Sequence, residues 1–188
     1  PNKETETCAG ERAFLERLLD AEGWSYRVTD DAGAFARAAY GGGYGLYLLQ
    51  GSRTRLERRV QGLLVEAGYN GAGLIVAGDL DNRNRHLVEA LGAAPRGKRP
   101  HVELLVLNGA GPFGREAIEL PRNADHRRLE PDGALAVGHY SDGEGELSEA
   151  VAVTALDYGD GRSLTFGFDL LAHAAQGGDA QGPFARLL

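Results

Sequence analysis

This chain of 188 residues is short of several residue types that usually announce a function. A single cysteine, Cys8, rules out an internal disulfide framework and a cysteine-based zinc cluster, and leaves the compartment undecided. Methionine is absent altogether, either as a compositional accident or because methionines were left out of the written sequence, which would shorten every spacing below. Tryptophan occurs once, at Trp24. Basic residues are outnumbered, 20 against 27 acidic ones, and a net charge of −7 argues against a nucleic-acid surface, which needs a basic field. No apolar run reaches the length of a membrane span, and no signal peptide is recognisable.

What is present is glycine, 28 residues of it, and a 43% hydrophobic share that suits a substantial core. The opening "PNKETET" is loop-like and lacks an initiator methionine, so the sequence reads as a fragment or as a chain whose first strand lies outside it.

The first half alternates helical and strand-like patterns. Phe14, Leu15, Leu18 and Leu19 predict a helix over Gly10–Ala21 that stops at Gly23. Trp24, Tyr26 and Val28 alternate with polar residues, the pattern of a half-buried strand over Trp24–Thr29. "DDAGAFARAAY" reads as an aspartate-capped helix, "YGLYLLQ" as a buried strand over Gly45–Gln50, and Leu56–Ala67 as a helix. "LIVA" predicts a buried strand over Leu74–Ala77, followed by a helix over Asn84–Leu91. Short connections between such elements predict a doubly wound, mainly parallel sheet flanked by helices. Past Ala93 the rhythm changes. "AAPRGKRPH" reads as a basic connector, and Val102–Asp169 as a β-rich, partly antiparallel half whose last strand returns to the main sheet. The expectation is one domain over 1–188, divided into an alternating half, 1–93, and a β-rich half, 94–188.

The run from Tyr44 to Gly92, with "LLVEAGYNGAG" leading into "LIVAG", and the closing "YGDGRSLTFGFDLLAHAA" together resemble the class I glutamine amidotransferase-like (flavodoxin-like) superfamily, in a non-catalytic branch. The resemblance covers roughly two thirds of the chain. It implies a catalytic cysteine after "LIVAG", where Gly78, Asp79, Leu80 and Asp81 stand instead. It also implies a histidine and glutamate after the last strand, at positions held by Asp169 and Leu171. Without nucleophile and base, amidotransfer is excluded. What remains is a non-catalytic binding or assembly domain of a larger protein. Its partner would be an unidentified small molecule or protein, and no cofactor is implied.

Ligands of parallel α/β sheets bind outside the carboxyl ends of the strands, which nominates a crevice of Gly51, Ser52, Arg53, Gly78, Asp79, Asp81, Asn82 and Asn84. The competing reading is a metal-dependent hydrolase or phosphoryl-transfer enzyme using Asp79 and Asp81. The loop lacks the Thr or Val of the phosphatase pattern, having Arg83, and lacks the glycine and distal glutamate of a calcium loop. The structural reading is preferred: tight turns accept Asp and Asn, and Asn82 or Asn84 can cap the next helix.

Other candidates have plain explanations. Cys8 sits near an expected helix start without a companion motif. Arg53, Arg55, Arg58 and Arg59 suit a solvated helix face as well as an anion site. "YGGGYG" precedes its strand, whereas a dinucleotide fingerprint follows one. His86, His101, His126, His139 and His173 show no metal-ligand spacing, and His139, Tyr140 and Asp142 form the one polar constellation of the second half.

Overall fold

The computed structural model describes residues 3–50, 56–78, 84–98, 102–121, 126–143 and 148–177. The chain runs through α1 (Lys3–Ala21), α2 (Ala32–Gly41), β1 (Leu46–Gln50), α3 (Arg58–Tyr69), β2 (Gly73–Ala77), α4 (Arg85–Leu91), β3 (Ala93–Lys98), β4 (Leu104–Asn108), β5 (Arg115–Glu119), β6 (Arg127–Pro131), β7 (Leu135–Ser141), β8 (Val151–Tyr158), β9 (Gly161–Phe166) and α5 (Leu170–Gly177). Among the described residues these strands form one nine-stranded sheet in the order β1-β2-β9-β8-β7-β4-β5, with β6 joined to β8 and β3 to β6.

β1 lies parallel to β2, with Leu46 opposite Gly73 and Gln50 opposite Ala77, and β2 lies parallel to β9. Every other pairing in the sheet is antiparallel. The sheet is therefore mixed, and the expectation of a doubly wound, mainly parallel, flavodoxin-like sheet is corrected. The cause is in the connections. Parallel neighbours need a crossover, which α3 supplies between β1 and β2, whereas tight links such as that between Tyr158 and Gly161 can only turn the chain back. Past β3 no helix intervenes among the described residues until α5.

Two apolar clusters cover the parallel edge from opposite sides. Along β2, Leu74 and Val76 pack with Tyr47, Val60, Leu64, Leu87 and Leu91, while Ile75 and Ala77 pack with Phe14, Phe166 and Phe168. This is the period of a strand buried on both faces. α1 belongs to one face through Phe14, and α2 and α3 to the other through Ala39, Val60 and Leu64.

Three segments depart from the sequence pattern. α1 already begins at Lys3, within the opening read as a loop. Trp24–Thr29 is not a strand; Trp24 is 57% and Tyr26 36% exposed, and neither pairs with the sheet. Alternation shows that a segment suits a strand, but a strand exists only where a neighbouring backbone completes it. Conversely, "AAPRGK" is the strand β3, antiparallel to β6, rather than a connector. Its charged outer residues and Pro95 fit a peripheral strand, where a proline is tolerated.

The hairpin between β8 and β9 is seated by close backbone contact. Gly159 turns the chain at φ +62, and a Cβ on Gly161 would run into the carbonyl oxygens of Gly68 and Ala72, in the turn between α3 and β2. Gly161→Ala forces backbone apart at this point. We expect it to cost about 1–3 kcal/mol of stability by urea unfolding; an unchanged unfolding midpoint would contradict the packing described.

Candidate functional site

The carboxyl ends of β1, β2 and β9 lie side by side, the place where α/β sheets bind ligands. Of the nominated crevice, Gly51, Ser52, Arg53, Asp79, Asp81 and Asn82 fall outside the described residues. Gly78 and Asn84 are within them. Gly78 leaves β2 at φ +94, and its N–H donates to the Phe166 carbonyl at 3.1 Å, binding the end of β2 to β9. That left-handed conformation favours glycine.

Asn84 stands at the N-cap position of α4, yet its side chain makes no cap hydrogen bond there. Instead Oδ1 accepts from the Leu56 backbone N–H at 3.0 Å, and Asn84 is fully buried. The expected capping role is thus replaced by a cross-link: the end of the loop after β1 is fastened to the end of the loop after β2. The two nominated loops share an anchor.

The residues that give this edge its chemistry were not nominated. Gln50, the last residue of β1, donates its side-chain amide to Asp169 Oδ1, and its Oε1 accepts from the Leu171 N–H at 3.4 Å. Asp169 Oδ1 also accepts from the Ala172 N–H at 2.8 Å, so it caps the start of α5. Burial raises the Asp169 carboxyl pKa, against the lowering effect of its bonds to Ala172 and Gln50. On α1, Glu11 is pushed up to about 7 by burial first and by the negative charge of Asp169 second. Glu11 so raised keeps its proton up to near neutral pH, where an ordinary carboxyl is charged.

A second polar cluster lies behind the first. His126 and His173 are 3% and 2% exposed, and their Nε2 atoms approach to 3.4 Å. Phe168 and Tyr140 pack against the rings, and the Tyr140 hydroxyl donates to the Arg127 carbonyl at 3.1 Å. Burial, then the neighbouring His126, lowers His173 to about 4, and burial raises Tyr140. His173 lies on α5, which Asp169 opens, so both clusters hang from one short helix.

The remaining candidates disperse. His139 and Tyr140 are consecutive on β7 and point to opposite faces; His139 Nδ1 lies 3.2 Å from the Ser148 carbonyl, and Asp142 is exposed. Arg58 donates to His86 Nε2 at 3.0 Å, and Arg59 stacks over the Tyr40 ring at 4.7 Å, so neither serves an anion site; Arg53 and Arg55 lie outside the described residues. Cys8 falls inside α1 rather than at its first turn. The glycines of "YGGGYG" border an open groove of about 500 Å³ at the amino ends of β1 and β2, away from the carboxyl edge. Among the described residues no three His, Cys, Asp or Glu side chains are grouped to hold a metal ion, and no helix is long and apolar enough to cross a membrane.

No family model and no curated protein matches the chain. Solved structures do. The exo-β-1,4-mannosidase Op5Man5 from Opitutaceae bacterium strain TAV5 shares the fold over 99% of this chain and 31% of its own, with a TM-score of 0.62 and 18% identity. A β-galactosidase from Rahnella sp. R3 does so over 97% of this chain and 28% of its own, with a TM-score of 0.59 and 15% identity. A cytoplasmic protein of Salmonella typhimurium, STM3548, is similar over 84% of this chain and 75% of its own, with a TM-score of 0.52 and 11% identity. The chain therefore spans about a third of the length of the two glycosidases.

These neighbours correct the resemblance drawn from the sequence. Glycoside hydrolases, and no glutamine amidotransferase-like protein, stand among the structures named, and the sheet is mixed. The reading as a non-catalytic amidotransferase-like binding or assembly domain is set aside with it, as is the alternative built on Asp79 and Asp81. The cadence of "LIVAG" and "YGDGRS" reflected a parallel edge seated on glycines, which is a property of local geometry rather than of one family.

The His173 pKa has a consequence for stability. Between pH 6.5 and 4 the unfolded chain takes up a proton that folded His173 refuses, so its contribution to stability falls as pH falls across that window, by about 3 kcal/mol in all. Glu11 acts oppositely: its raised pKa favours the folded state below 4.5 and loses that advantage as pH rises through about 7. His173→Phe should accordingly lose about 2 kcal/mol less than the wild type on going from pH 7 to pH 5 in urea unfolding. Equal losses would show that His173 is protonated as readily folded as unfolded.

Proposed function

We propose that the chain is a glycosidase-related domain, one module of a longer carbohydrate-hydrolysing polypeptide. The observation that supports this best is the likeness of nearly the whole chain, 99% and 97% of it, to part of two glycosidases. Glycoside hydrolysis needs carboxyl groups with divided duties, one protonated at working pH and one charged. The Glu11–Asp169 pair gives the carboxyl edge a group that stays protonated near neutrality, and that edge is the side we assign to sugar. Asp169 is held by Gln50 and Ala172, so Glu11 is the freer of the two. A complete hydrolytic site on this reading draws its other groups from the rest of the polypeptide.

The test is turnover of 4-nitrophenyl β-D-mannopyranoside and β-D-galactopyranoside by the native polypeptide that contains these residues. We expect hydrolysis at least about 100-fold above the buffer rate. Failure to hydrolyse any aryl glycoside would overturn the reading.

A further inference from the structure

The groove bordered by the glycines of "YGGGYG" has a buried tyrosine in its wall. Tyr47 is 7% exposed, and what remains of it opens to this groove. Its ring is held by Phe35 in an edge contact at 6.4 Å between centroids and by Tyr44 at 5.8 Å. Its hydroxyl makes no hydrogen bond among the described residues. A tyrosine buried to this degree ordinarily finds a partner for its hydroxyl, as Tyr140 does on the Arg127 carbonyl. Tyr47 therefore brings an unspent donor and acceptor to the wall of an open space.

The rest of the lining narrows the kind of molecule that fits. Tyr40 is exposed, and the Arg59 guanidinium 4.7 Å over its ring holds one face and leaves the other open. Glu66, in the last turn of α3, and Asn70, just after it, line the opposite side; their side chains enter no hydrogen bond or ion pair among the described residues. A carboxylate at the negative end of a helix repels anions, and Arg59 repels cations. A neutral occupant remains. Flat rings beside Leu63 and Ala67 suit the apolar C–H face of a pyranose, while hydroxyl, amide and carboxylate groups suit its rim. The groove's volume of about 500 Å³ lies in the range of small-ligand sites.

We propose that this groove binds a short neutral saccharide, with Tyr40, Tyr44 and Tyr47 against the sugar rings and Glu66 and Asn70 on their hydroxyls. The choice of a sugar among neutral polyols rests on the glycosidase reading. The groove lies at the amino ends of β1 and β2, away from Glu11 and Asp169, so it grips the saccharide without cutting it. An anchored chain raises the local concentration of substrate for a site elsewhere on the same polypeptide.

Titration of the isotope-labelled chain with β-1,4-mannotriose and with lactose, read by amide chemical shifts, tests it. We expect saturable shifts confined to residues 40–47 and 66–72 with at least one of the sugars, at a dissociation constant of about 1 mM or tighter. Two variants spare the fold: Tyr40 is exposed, and a side chain added at Gly45, which borders the groove, meets nothing within 4 Å. Tyr40→Ala and Gly45→Leu should each weaken binding at least about 10-fold with the urea midpoint unchanged. No shifts at about 10 mM of either sugar, shifts centred on Glu11 and Asp169 instead, or affinity untouched in both variants overturns the proposal. Saturable shifts with choline and none with the sugars gives the groove to cations and overturns it as well. Aryl-glycoside turnover by the native polypeptide without groove binding refutes the groove and leaves the glycosidase reading standing; groove binding without turnover does the reverse.

Discussion

β9 is the strand on which the architecture turns. It lies parallel to β2 on one side and antiparallel to β8 on the other, and so joins a three-stranded parallel edge to an antiparallel body. Its start is set where Gly161 touches the carbonyls of Gly68 and Ala72, and its end where Phe166 accepts from Gly78. Beyond it, Gly167 exchanges backbone bonds with Arg127 and Ala152, which draws β6 and β8 to the same place. Phe166 and Phe168, both fully buried, fill the core beneath this seam. Remove the register of β9 and the two halves lose their common strand.

The polar chemistry follows from the same placement. Because β9 ends beside β1 and β2, the turn after it delivers Asp169 to the side chain of Gln50 and starts α5 there. α1 packs on α5, and that contact brings Glu11 within the field of Asp169. One turn into α5, His173 is buried against His126 at the start of β6. The raised carboxyls and the lowered histidine share one cause, burial of ionisable groups at the junction of sheet and helix.

Much of this was legible in the residues, and what was not has a physical reason. α1, α3 and α4 announce themselves by apolar spacing near 3.6, and β2 by an unbroken aliphatic run. Strand direction is written in no single segment. It depends on whether the next link is a crossover or a hairpin, and the alternation of the first half concealed the antiparallel body of the second. Trp24–Thr29 shows that alternation marks capacity for pairing, not pairing itself. Asp169 was noticed only as the occupant of another family's histidine position. Its partners Gln50 and Glu11 lie more than 100 residues earlier and carry no motif that links them to it. A separation of 47 residues likewise hid the pairing of His126 with His173.

The seam at β9 is open to direct observation by backbone nuclear Overhauser contacts in labelled protein. Antiparallel strands bring opposed α-protons together at non-hydrogen-bonded pairs, and parallel strands do not. The Gly167 N–H donates to Ala152 opposite it, so hydrogen-bonded pairs alternate from there. The structure requires α-proton contacts between β8 and β9 at the pairs between: Val153 with Phe166, Ala155 with Leu164 and Asp157 with Arg162. It requires their absence between β2 and β9, where Val76 faces Thr165 and amide-to-α-proton contacts take their place. Strong α-proton contacts across β2 and β9 would contradict the architecture, and with it the assembly of Gln50, Glu11 and Asp169 at one edge.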